Sequence, residues 1–339
     1  MVVLLDGSFA TQIKKYVDEK EMTSSPLWSS QYLSTDPNAV LNTHCDYINA
    51  GCQVISTNTY QASVEGFQKH LGMDVESGLA LIRQAVTLAK QAVVKCASST
   101  NPPKQQVMIA GSVGPYGACL HDGSEYRGEY IEDVTAQQLR DWHRPRITAL
   151  VAAGVDLLAV ETIPAVQEAV TVLNLLREEF SNVKAWVSFT CKDKVHTSHG
   201  EPFHEAVLQC CQTNRSQLVA VGVNCVAPAQ VSPLLTSVQG LQVPFIVYPN
   251  SGETWTPGVG IVGAILILSL GDCHHWSLFP NLISWTNKEA CLPLVHYLPE
   301  WVSLGAQYIG GCCQTDAEDI RQCREFIDKH GIRSSTSGL

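Results

Sequence analysis

Eight short apolar runs, separated by longer amphipathic stretches, constrain the fold of this chain more than any other feature of its sequence. Each run is continuously hydrophobic rather than alternating, which indicates parallel strands that are buried on both faces. Strands that alternate with helices predict a parallel sheet, and eight repeats favour a single-domain (β/α)8 barrel over an open doubly wound sheet. The predicted strands are Val2–Asp6, Gln53–Thr57, Val107–Ser112, Val155–Glu161, Ala185–Thr190, Leu218–Asn224, Phe245–Pro249 and Gln307–Gly311.

The stretches between the runs have the periodicity of helices that cover one face of a sheet. In the first of them Leu79, Ile82 and Val86 recur at three- and four-residue spacing, which places them on one helix face. The 339 residues suit one barrel of about 250 residues with elaborations. We therefore expect one barrel domain over residues 1–325 and a C-terminal tail over 326–339. The clearest predicted helices are Gly78–Lys95, Thr135–Ala153, Ala165–Phe180 and Asp316–His330.

Charge and hydropathy exclude several classes of partner. The net charge of -10, with no cluster of Lys and Arg, argues against nucleic acid and against anionic lipid. The longest apolar run, Val259–Leu270, is shorter than the roughly 18 residues of a membrane span, and the first residues are too few for a signal peptide. We expect a cytoplasmic protein that acts on small molecules; its oligomeric state does not follow from the sequence.

Small, polar or metal-binding residues follow seven of the eight predicted strands. In a parallel barrel these carboxyl ends converge on one mouth, where active sites are built. Seven such strand ends would be an odd coincidence in a purely structural protein, so the pattern predicts an enzyme. The segments are Asp6-Gly7, Asn58-Thr59-Tyr60, Gly114-Pro115, Glu161-Thr162, Asn224-Cys225, Asn250-Ser251-Gly252 and Cys312-Cys313.

Three of the thirteen cysteines lie at predicted strand ends, and they are the candidates for a metal site. Neighbouring strand residues point to opposite faces, so Cys312 and Cys313 can share an ion only where the strand stops, and the two preceding glycines supply the backbone freedom. Together with Cys225 they would give three thiolates and one open position, which is typical of catalytic zinc. Buried packing or a vicinal disulfide is the competing interpretation. The pair Cys210-Cys211, inside a helical stretch, we interpret as packing.

With these residues in place, the chain resembles the zinc-dependent homocysteine S-methyltransferases. This family is related to betaine–homocysteine methyltransferase and to the homocysteine-binding module of cobalamin-dependent methionine synthase. The matching segments follow family order over about residues 1–325, and GGCC with the upstream NC is the specific part. The segments are DGSFATQ at Asp6, TNTYQAS at Thr57, SVGPYGA at Ser112, DGSEYRG at Asp122, ETIP at Glu161, GVNC at Gly222, YPNSGE at Tyr248 and GGCCQT at Gly310.

The resemblance implies a reaction and a set of roles for the strand-end residues. Cys225, Cys312 and Cys313 would bind Zn2+, whose fourth position takes the sulfur of homocysteine, and methyl transfer to that sulfur would produce methionine. Asp6 and Glu161 would hold the substrate ammonium group, although helix capping or pairing with a basic group is the competing interpretation of both acids.

Further contacts follow from the same resemblance. Gly7 and Asn224 would contact the amino acid substrate. The segments SVGPYGA and DGSEYRG resemble the branch that uses S-methylmethionine or S-adenosylmethionine as methyl donor. Tyr60, Tyr116 and Tyr126 are candidates to steady the donor cation, with ordinary packing as the alternative for each. Two other functions stay open: a betaine-dependent methyltransferase, and a non-catalytic thiol protein that senses zinc or redox state.

Three features lie outside the family pattern. Ser8 stands where the family has a second glycine, which we expect to be tolerated. An apolar segment at about 258–284 has no recognised counterpart. A lid, a partner-binding patch and sequence from an alternatively spliced or mispredicted exon are the competing interpretations, and the last is favoured because exposed apolar surface lowers solubility. Within it, Cys273 and His274 are weak candidates for extra ligands. A further histidine group, His196, His199 and His204, we interpret as part of a solvated loop.

Overall fold

The structure is a computed structural model that describes residues 2–100, 102–103, 105–256, 284–334 and 336. Apart from Ser284, the apolar segment predicted at 258–284 lies outside the described residues, and so do Cys273 and His274. The expectations for that segment remain predictions. The described chain on either side of it forms a small antiparallel pair, strands β8 (Thr254–Thr256) and β9 (Ser284–Thr286).

Eight parallel strands form the barrel, as the alternating pattern predicted. Hydrogen-bonded neighbours follow the order β1-β10-β7-β6-β5-β4-β3-β2. The two ends of this order meet through a parallel bridge between Leu5 and Val54, supported by the Gln53 amide, which donates to the Leu4 carbonyl at 2.7 Å. The sheet therefore closes. The strands are β1 (Val3–Leu4), β2 (Val54–Ser56), β3 (Met108–Val113), β4 (Leu157–Ile163), β5 (Ala185–Phe189), β6 (Leu218–Asn224), β7 (Phe245–Tyr248) and β10 (Ala306–Ile309).

Helices surround the barrel and cover its outer face. The four predicted helices are confirmed to within three residues at each end, because their apolar stripes pack on the strands. The helices are α1 (Phe9–Ile13), α2 (Glu19–Ser24), α3 (Tyr32–Thr35), α4 (Pro37–Ala50), α5 (Val64–Leu71), α6 (Val75–Ala97), α7 (Ala136–Ala152), α8 (Val166–Glu179), α9 (Phe203–Asn214), α10 (Pro228–Ser237), α11 (Leu298–Ser303) and α12 (Ala317–Lys329). In the described ranges, no helix is both long and apolar enough to cross a membrane.

Side chains from all eight strands fill the barrel interior and form the floor beneath its mouth. Trp186 and Tyr248 are the largest of these, and the indole of Trp186 donates to the Tyr248 hydroxyl at 3.0 Å. Both rings are buried, so the interior is a packed core rather than a channel. Substrates therefore approach from the carboxyl ends of the strands.

The observed strands end within two residues of their predicted ends, and the difference at β4 changes where two site residues lie. β4 continues to Ile163, so Glu161 and Thr162 lie inside the strand rather than just past it. The register with β5 shifts between Val160 and Ile163, and Thr162 has a φ of 60°. These features describe a bulge, which turns side chains away from their regular alternation and is common next to active sites. The sequence pattern could not reveal this bulge, because the residues after Glu161 would also fit a strand that continues without one.

We expect Gly222→Ala to prevent stable folding. A Cβ at Gly222 in β6 would overlap the carbonyl oxygen of Ile246 in β7 and lie 2.8 Å from its carbonyl carbon. Backbone on a neighbouring strand cannot move aside cheaply, so the expected loss is several kcal/mol. Gly78→Ala is the control. Gly78 lies in α6, and a Cβ there would meet Phe67 of α5 at 3.6 Å, which is an ordinary contact distance. Soluble yield and the midpoint of thermal unfolding would measure both; an unchanged midpoint for Gly222→Ala would contradict the strand packing.

Candidate metal centre and substrate site

Three cysteine sulfurs meet at the mouth of the barrel. The sulfur atoms of Cys225, Cys312 and Cys313 all lie within 4.8 Å of one another, and Cys225 and Cys313 are separated by 3.8 Å. The sulfur atoms of Cys225 and Cys312 lie within disulfide-bonding distance. Among the described residues, no other group of His, Cys, Asp and Glu side chains has the arrangement of a metal site. The structure thus brings together the three cysteines singled out by their positions at strand ends.

Backbone geometry aims the cysteines at a common point. Cys225 follows β6 with a φ of 50°, and its amide donates to the Tyr248 carbonyl at 3.2 Å. The Cys312 amide donates to the Pro249 carbonyl at 2.7 Å, so both segments are tied to the end of β7. Sulfur is the ligand atom that favours zinc among the common divalent ions, and three such atoms leave one position open. The donor set therefore fits a zinc ion with room for a substrate atom.

The two glycines before the vicinal pair serve a different purpose from the one predicted. Neither Gly310 nor Gly311 has a positive φ, so the expected need for backbone freedom is wrong. A Cβ on Gly310 would lie 2.7 Å from the Asp6 carbonyl oxygen, and one on Gly311 would overlap Thr315. Close packing against β1 and against the next turn is the physical reason for both glycines.

A pair of buried acids lies at the same mouth. The Asp6 carboxylate accepts a hydrogen bond from the Ser56 amide at 2.7 Å, while Glu161 accepts one from the Ser112 hydroxyl. Burial, together with the neighbouring charge of Glu161, raises the pKa of Asp6 to about 8, although the hydrogen bonds from Ser56 act in the opposite direction. Burial likewise raises the pKa of Glu161 to about 7.

Within the described ranges, neither acid caps a helix, and the structure shows no basic side chain paired with Asp6 or Glu161. The competing interpretation of both residues, as helix caps or partners of basic groups, therefore finds no support. Two carboxyl groups that pair with no cation of the protein can bind a cationic group of a ligand. An ammonium group is a suitable ligand because it carries the opposite charge and donates up to three hydrogen bonds.

The other predicted substrate contacts shape the walls of the site. A Cβ on Gly7 would lie 2.9 Å from the Tyr47 hydroxyl, so the backbone packs tightly there. Ser8, which replaces the family's second glycine, accepts from the Thr11 amide and caps α1. Asn224 is buried and uses its side-chain oxygen to accept from the Thr162 amide at 2.8 Å. Asn224 thus holds the β4 bulge in place, and a direct contact with substrate stays a prediction.

The three tyrosines occupy different surroundings. Tyr126 is partly exposed, but its hydroxyl donates a hydrogen bond to the sulfur of Cys313. Tyr60 is half-buried with its hydroxyl fully buried, and the pKa of that hydroxyl is raised well above the ordinary value by burial and by the charges of Glu125, Glu161 and Cys313. Both rings therefore border the sulfur cluster.

Tyr116 instead belongs to an aromatic cluster inside the loop. Its ring packs at 5.3 Å from Trp142 and at 5.6 Å from Tyr130. These contacts favour the packing interpretation for Tyr116, while its predicted role at the donor site gains no support from them.

A buried network that sequence reasoning missed fixes the loop carrying Tyr126. Glu168 of α8 accepts from the Tyr116 amide at 2.7 Å, from the Tyr130 hydroxyl and from His143, whose Nε2 lies 2.8 Å away. Glu168 and His143 are fully buried. Their placement on the apolar faces of α8 and α7 was the signal available in the sequence, because charged residues are seldom fully buried unless they are paired.

Arg146 is a second missed residue, and it connects two strand ends. Its guanidinium donates to the carbonyl groups of Gly114 at 3.1 Å and Tyr60 at 3.0 Å, and it lies 4.3 Å from the centre of the Trp142 ring. Burial lowers its pKa to about 10. This cation therefore organises the loops after β2 and β3 and does not face the acid pair.

The histidines after β5 have partners outside the sulfur cluster. His196 contacts Asp193, His199 contacts Glu132 and Glu201, and His204 contacts the Ser237 carbonyl. A surface groove of about 490 Å³ lies beside Tyr126 and His199.

The pair Cys210-Cys211, which we interpret as packing, lies outside the sulfur cluster. Cys210 is buried in the core and Cys211 packs beside it on α9.

Comparison with known proteins gives consistent matches along the chain. The family description "Homocysteine S-methyltransferase" matches residues 3–327. A betaine-homocysteine S-methyltransferase of Drosophila melanogaster is 39% identical over 96% of this chain and 94% of its own. A homocysteine S-methyltransferase of Escherichia coli is 38% identical over 94% and 93%. The crystal structure of the E. coli homocysteine methyltransferase MmuM in its metallated form superposes with a TM-score of 0.78 at 35% identity, covering 96% of both chains.

We expect Asp6→Asn to stabilise the protein increasingly as the pH rises. Folding raises the Asp6 pKa from 3.8 to about 8, so the stability that this acid contributes is complete below pH 4 and is lost as the pH rises through 8. Asparagine keeps an acceptor for the Ser56 amide and carries no charge. Between pH 5 and pH 8, the free energy of unfolding of the variant relative to the parent should increase by at least about 1 kcal/mol.

Urea titrations at both pH values, without homocysteine, measure this difference. Asp141→Asn is the control: Gln137 and Arg144 lower the pKa of exposed Asp141 below its ordinary value of 3.8, so this acid is ionised in both states from pH 5 to pH 8 and its difference from the parent should not change between these pH values. A difference between Asp6→Asn and the parent that is independent of pH would mean that Asp6 is already ionised.

We expect Glu168→Gln to loosen the loop that covers the mouth. Glutamine cannot accept all three hydrogen bonds, and leaving buried donors unpaired costs about 1–3 kcal/mol. Amide hydrogen exchange of residues 116–132 should become faster, while the barrel strands keep their protection. Glu129→Gln is the control, since Glu129 is exposed and pairs only with Arg127 in the described chain. Equal exchange in both variants would rule out Glu168 as the anchor of the loop.

Proposed function

The chain belongs to the homocysteine S-methyltransferase family, and from that premise we propose that it transfers a methyl group from a sulfonium donor to homocysteine, producing methionine. The donor is S-methylmethionine or S-adenosylmethionine. The observation that carries the proposal is the meeting of a three-sulfur cluster and an acid pair without a cation at one barrel mouth. An amino acid with a thiol side chain offers a group to each: sulfur to the metal and ammonium to the acids.

Three side chains would hold the metal, and the rest of the site orients the substrate. Cys225, Cys312 and Cys313 are the proposed zinc ligands. Zinc, when bound, supplies positive charge that allows a thiol sulfur to lose its proton at neutral pH. Asp6 and Glu161 bind the ammonium group of homocysteine and thereby fix the direction of its side chain. Such positioning contributes to catalysis by converting an encounter into a single oriented step.

The reaction balances without a further reactant. The homocysteine sulfur forms a bond to the donor methyl carbon, and the bond from that carbon to the sulfonium sulfur breaks. The electron pair stays on the donor sulfur, which becomes a neutral thioether, and the thiol proton is released to solvent. The packed floor of Trp186 and Tyr248 keeps water from reaching the sulfurs from below. In such low-dielectric surroundings, the attraction between a negative nucleophile and a cationic donor is stronger than in water.

A redox or zinc-sensing thiol protein is the second candidate, and one observation favours it. The sulfur atoms of Cys225 and Cys312 lie within disulfide-bonding distance, and a disulfide there would remove two of the three ligands. This candidate gives no account of the acid pair, which has no role in thiol oxidation. The ligand set requires reduced thiols, so we propose that the protein works in the cytoplasm, where thiols are kept reduced.

Methionine formation by the zinc-loaded protein tests the proposed function. We expect the parent protein to form methionine from homocysteine and S-methylmethionine. We expect Cys312→Ala to lose the zinc, because two sulfurs no longer hold the ion, and its rate of methionine formation to fall at least about 10³-fold. Cys211→Ala is the matched control: it removes a half-buried thiol on α9, and it should keep one zinc per chain and the parent rate.

The outcomes separate the candidates. Zinc-loaded, folded protein that forms no methionine from any sulfonium donor would falsify the methyltransferase proposal. Protein that binds no zinc and loses Cys225 and Cys312 thiols on mild oxidation supports the redox candidate. Turnover with betaine in preference to S-methylmethionine would correct the donor and leave the acceptor unchanged.

A further inference from the structure

One carboxylate oxygen at the barrel mouth is left without a hydrogen bond. The Oε2 atom of Glu125 is buried and accepts none within the described chain, and the hydrogen bond that this carboxyl group does receive comes from its own backbone amide. The nearest basic residue in sequence, Arg127, is engaged elsewhere: its Nε donates to Glu129 at 3.1 Å and its Nη1 donates to the Asp122 carbonyl at 3.0 Å. A buried carboxyl group without a partner is costly, so a native structure that keeps one calls for an explanation.

Glu125 borders the sulfur cluster from the loop side. It lies in the 3-10 turn Ser124–Tyr126, whose last residue donates its hydroxyl to Cys313. The Thr190 hydroxyl donates to the Glu125 carbonyl at 3.2 Å and ties this turn to the end of β5. The carboxyl group of Glu125 is near enough to the Tyr60 hydroxyl and to the Cys313 thiol for its charge to raise the pKa of both.

This acid is distinct from the pair assigned to homocysteine. Asp6 follows β1 and Glu161 lies on β4, and the charge of Glu161 raises the pKa of Asp6. The electrostatic neighbours of Glu125 are instead Asp122, Arg127, Tyr60, Tyr126 and Cys313. Burial raises the pKa of Glu125 to about 7, as expected for an acid that lacks a cation. The mouth therefore offers two separate acidic positions, and homocysteine has only one ammonium group.

We propose that Glu125 binds the ammonium group of the methyl donor and so selects a sulfonium amino acid over betaine. The inference rests on the proposed function. A donor such as S-methylmethionine carries, besides its sulfonium, an ammonium group with three N–H donors that fit an unpartnered carboxylate. Betaine has no N–H, and its carboxylate would meet the like charge of Glu125. Once bound, the ammonium group holds the donor with its methyl directed at the homocysteine sulfur.

Removing the charge of Glu125 and removing the amino group of the donor should have the same effect. We expect Glu125→Gln to raise the KM for S-methylmethionine by about 10- to 100-fold, which corresponds to losing one charged hydrogen bond. The KM for homocysteine should stay within twofold. Glu129→Gln is the control in the same loop, since Glu129 is exposed and contacts Arg127. The thermal midpoint of Glu125→Gln should not fall, because no hydrogen bond to Oε2 is lost.

A donor analogue makes the test specific. (3-Carboxypropyl)dimethylsulfonium is S-methylmethionine without its amino group. The parent should prefer S-methylmethionine at least 10-fold, in KM and in calorimetric binding to zinc-loaded protein, while Glu125→Gln should prefer it less than threefold. An unchanged preference in the variant, or a variant that weakens homocysteine instead, would overturn the inference.

Failure of the inference is distinguishable from failure of the proposed function. A parent that turns over S-methylmethionine with an amino-group preference independent of Glu125 keeps the function and rejects the residue. A parent that forms no methionine rejects the function, and calorimetry then decides the inference alone. Binding of S-methylmethionine that depends on both Glu125 and the amino group supports the site, and absence of binding overturns it.

Discussion

Closure of the parallel sheet between β1 and β2 is the constraint on which the site depends. Pairing of β1 with β10 places Asp6 beside the Gly310–Gly311 segment that leads into Cys312, and the Leu5–Val54 bridge places the same residue beside Ser56 of β2, on the side of the barrel that leads through β3 to Glu161. In an open sheet, β1 and β2 would be opposite edges, and Asp6 would lack its hydrogen bond from Ser56. The acid pair and the sulfur cluster therefore exist as one site only because the sheet closes.

The acids at the barrel mouth favour the binding of ligands that carry positive charge. Asp6, Glu161 and Glu125 are three acids whose burial raises their pKa values toward or above neutrality, and no described basic side chain pairs with them. The buried cation nearest to the loops, Arg146, donates to backbone carbonyls instead. A metal ion, an ammonium group and a cationic donor are the species that such surroundings favour. The free site is less stable than it would be with neutral side chains, and binding recovers that stability.

The strands, the main helices and the three cysteines could be predicted because each has a local signature: continuous apolar runs, a 3.6-residue period, and sulfur at strand ends. The β4 bulge at Thr162 could not, since its cause is Asn224 on another strand. The predicted reason for Gly310 and Gly311, backbone freedom, was also wrong. Their close packing against Asp6 and Thr315 is a tertiary contact that the local sequence does not reveal. The network around Glu168 required knowing which faces of α7 and α8 meet.

The loop after β3 reaches the sulfur cluster through Tyr126 without being part of the barrel. Its three short 3-10 turns are anchored by Glu168 and Arg146 from the helices behind them. That arrangement separates two tasks. In the proposed site, the strands hold the sulfur cluster and the acid pair rigidly, while a loop fixed from outside would present Tyr126 and Glu125 to the donor. Donor choice could then change through the loop without disturbing the sulfur cluster, which accords with two relatives of similar identity, one named for betaine as methyl donor and one named for no donor.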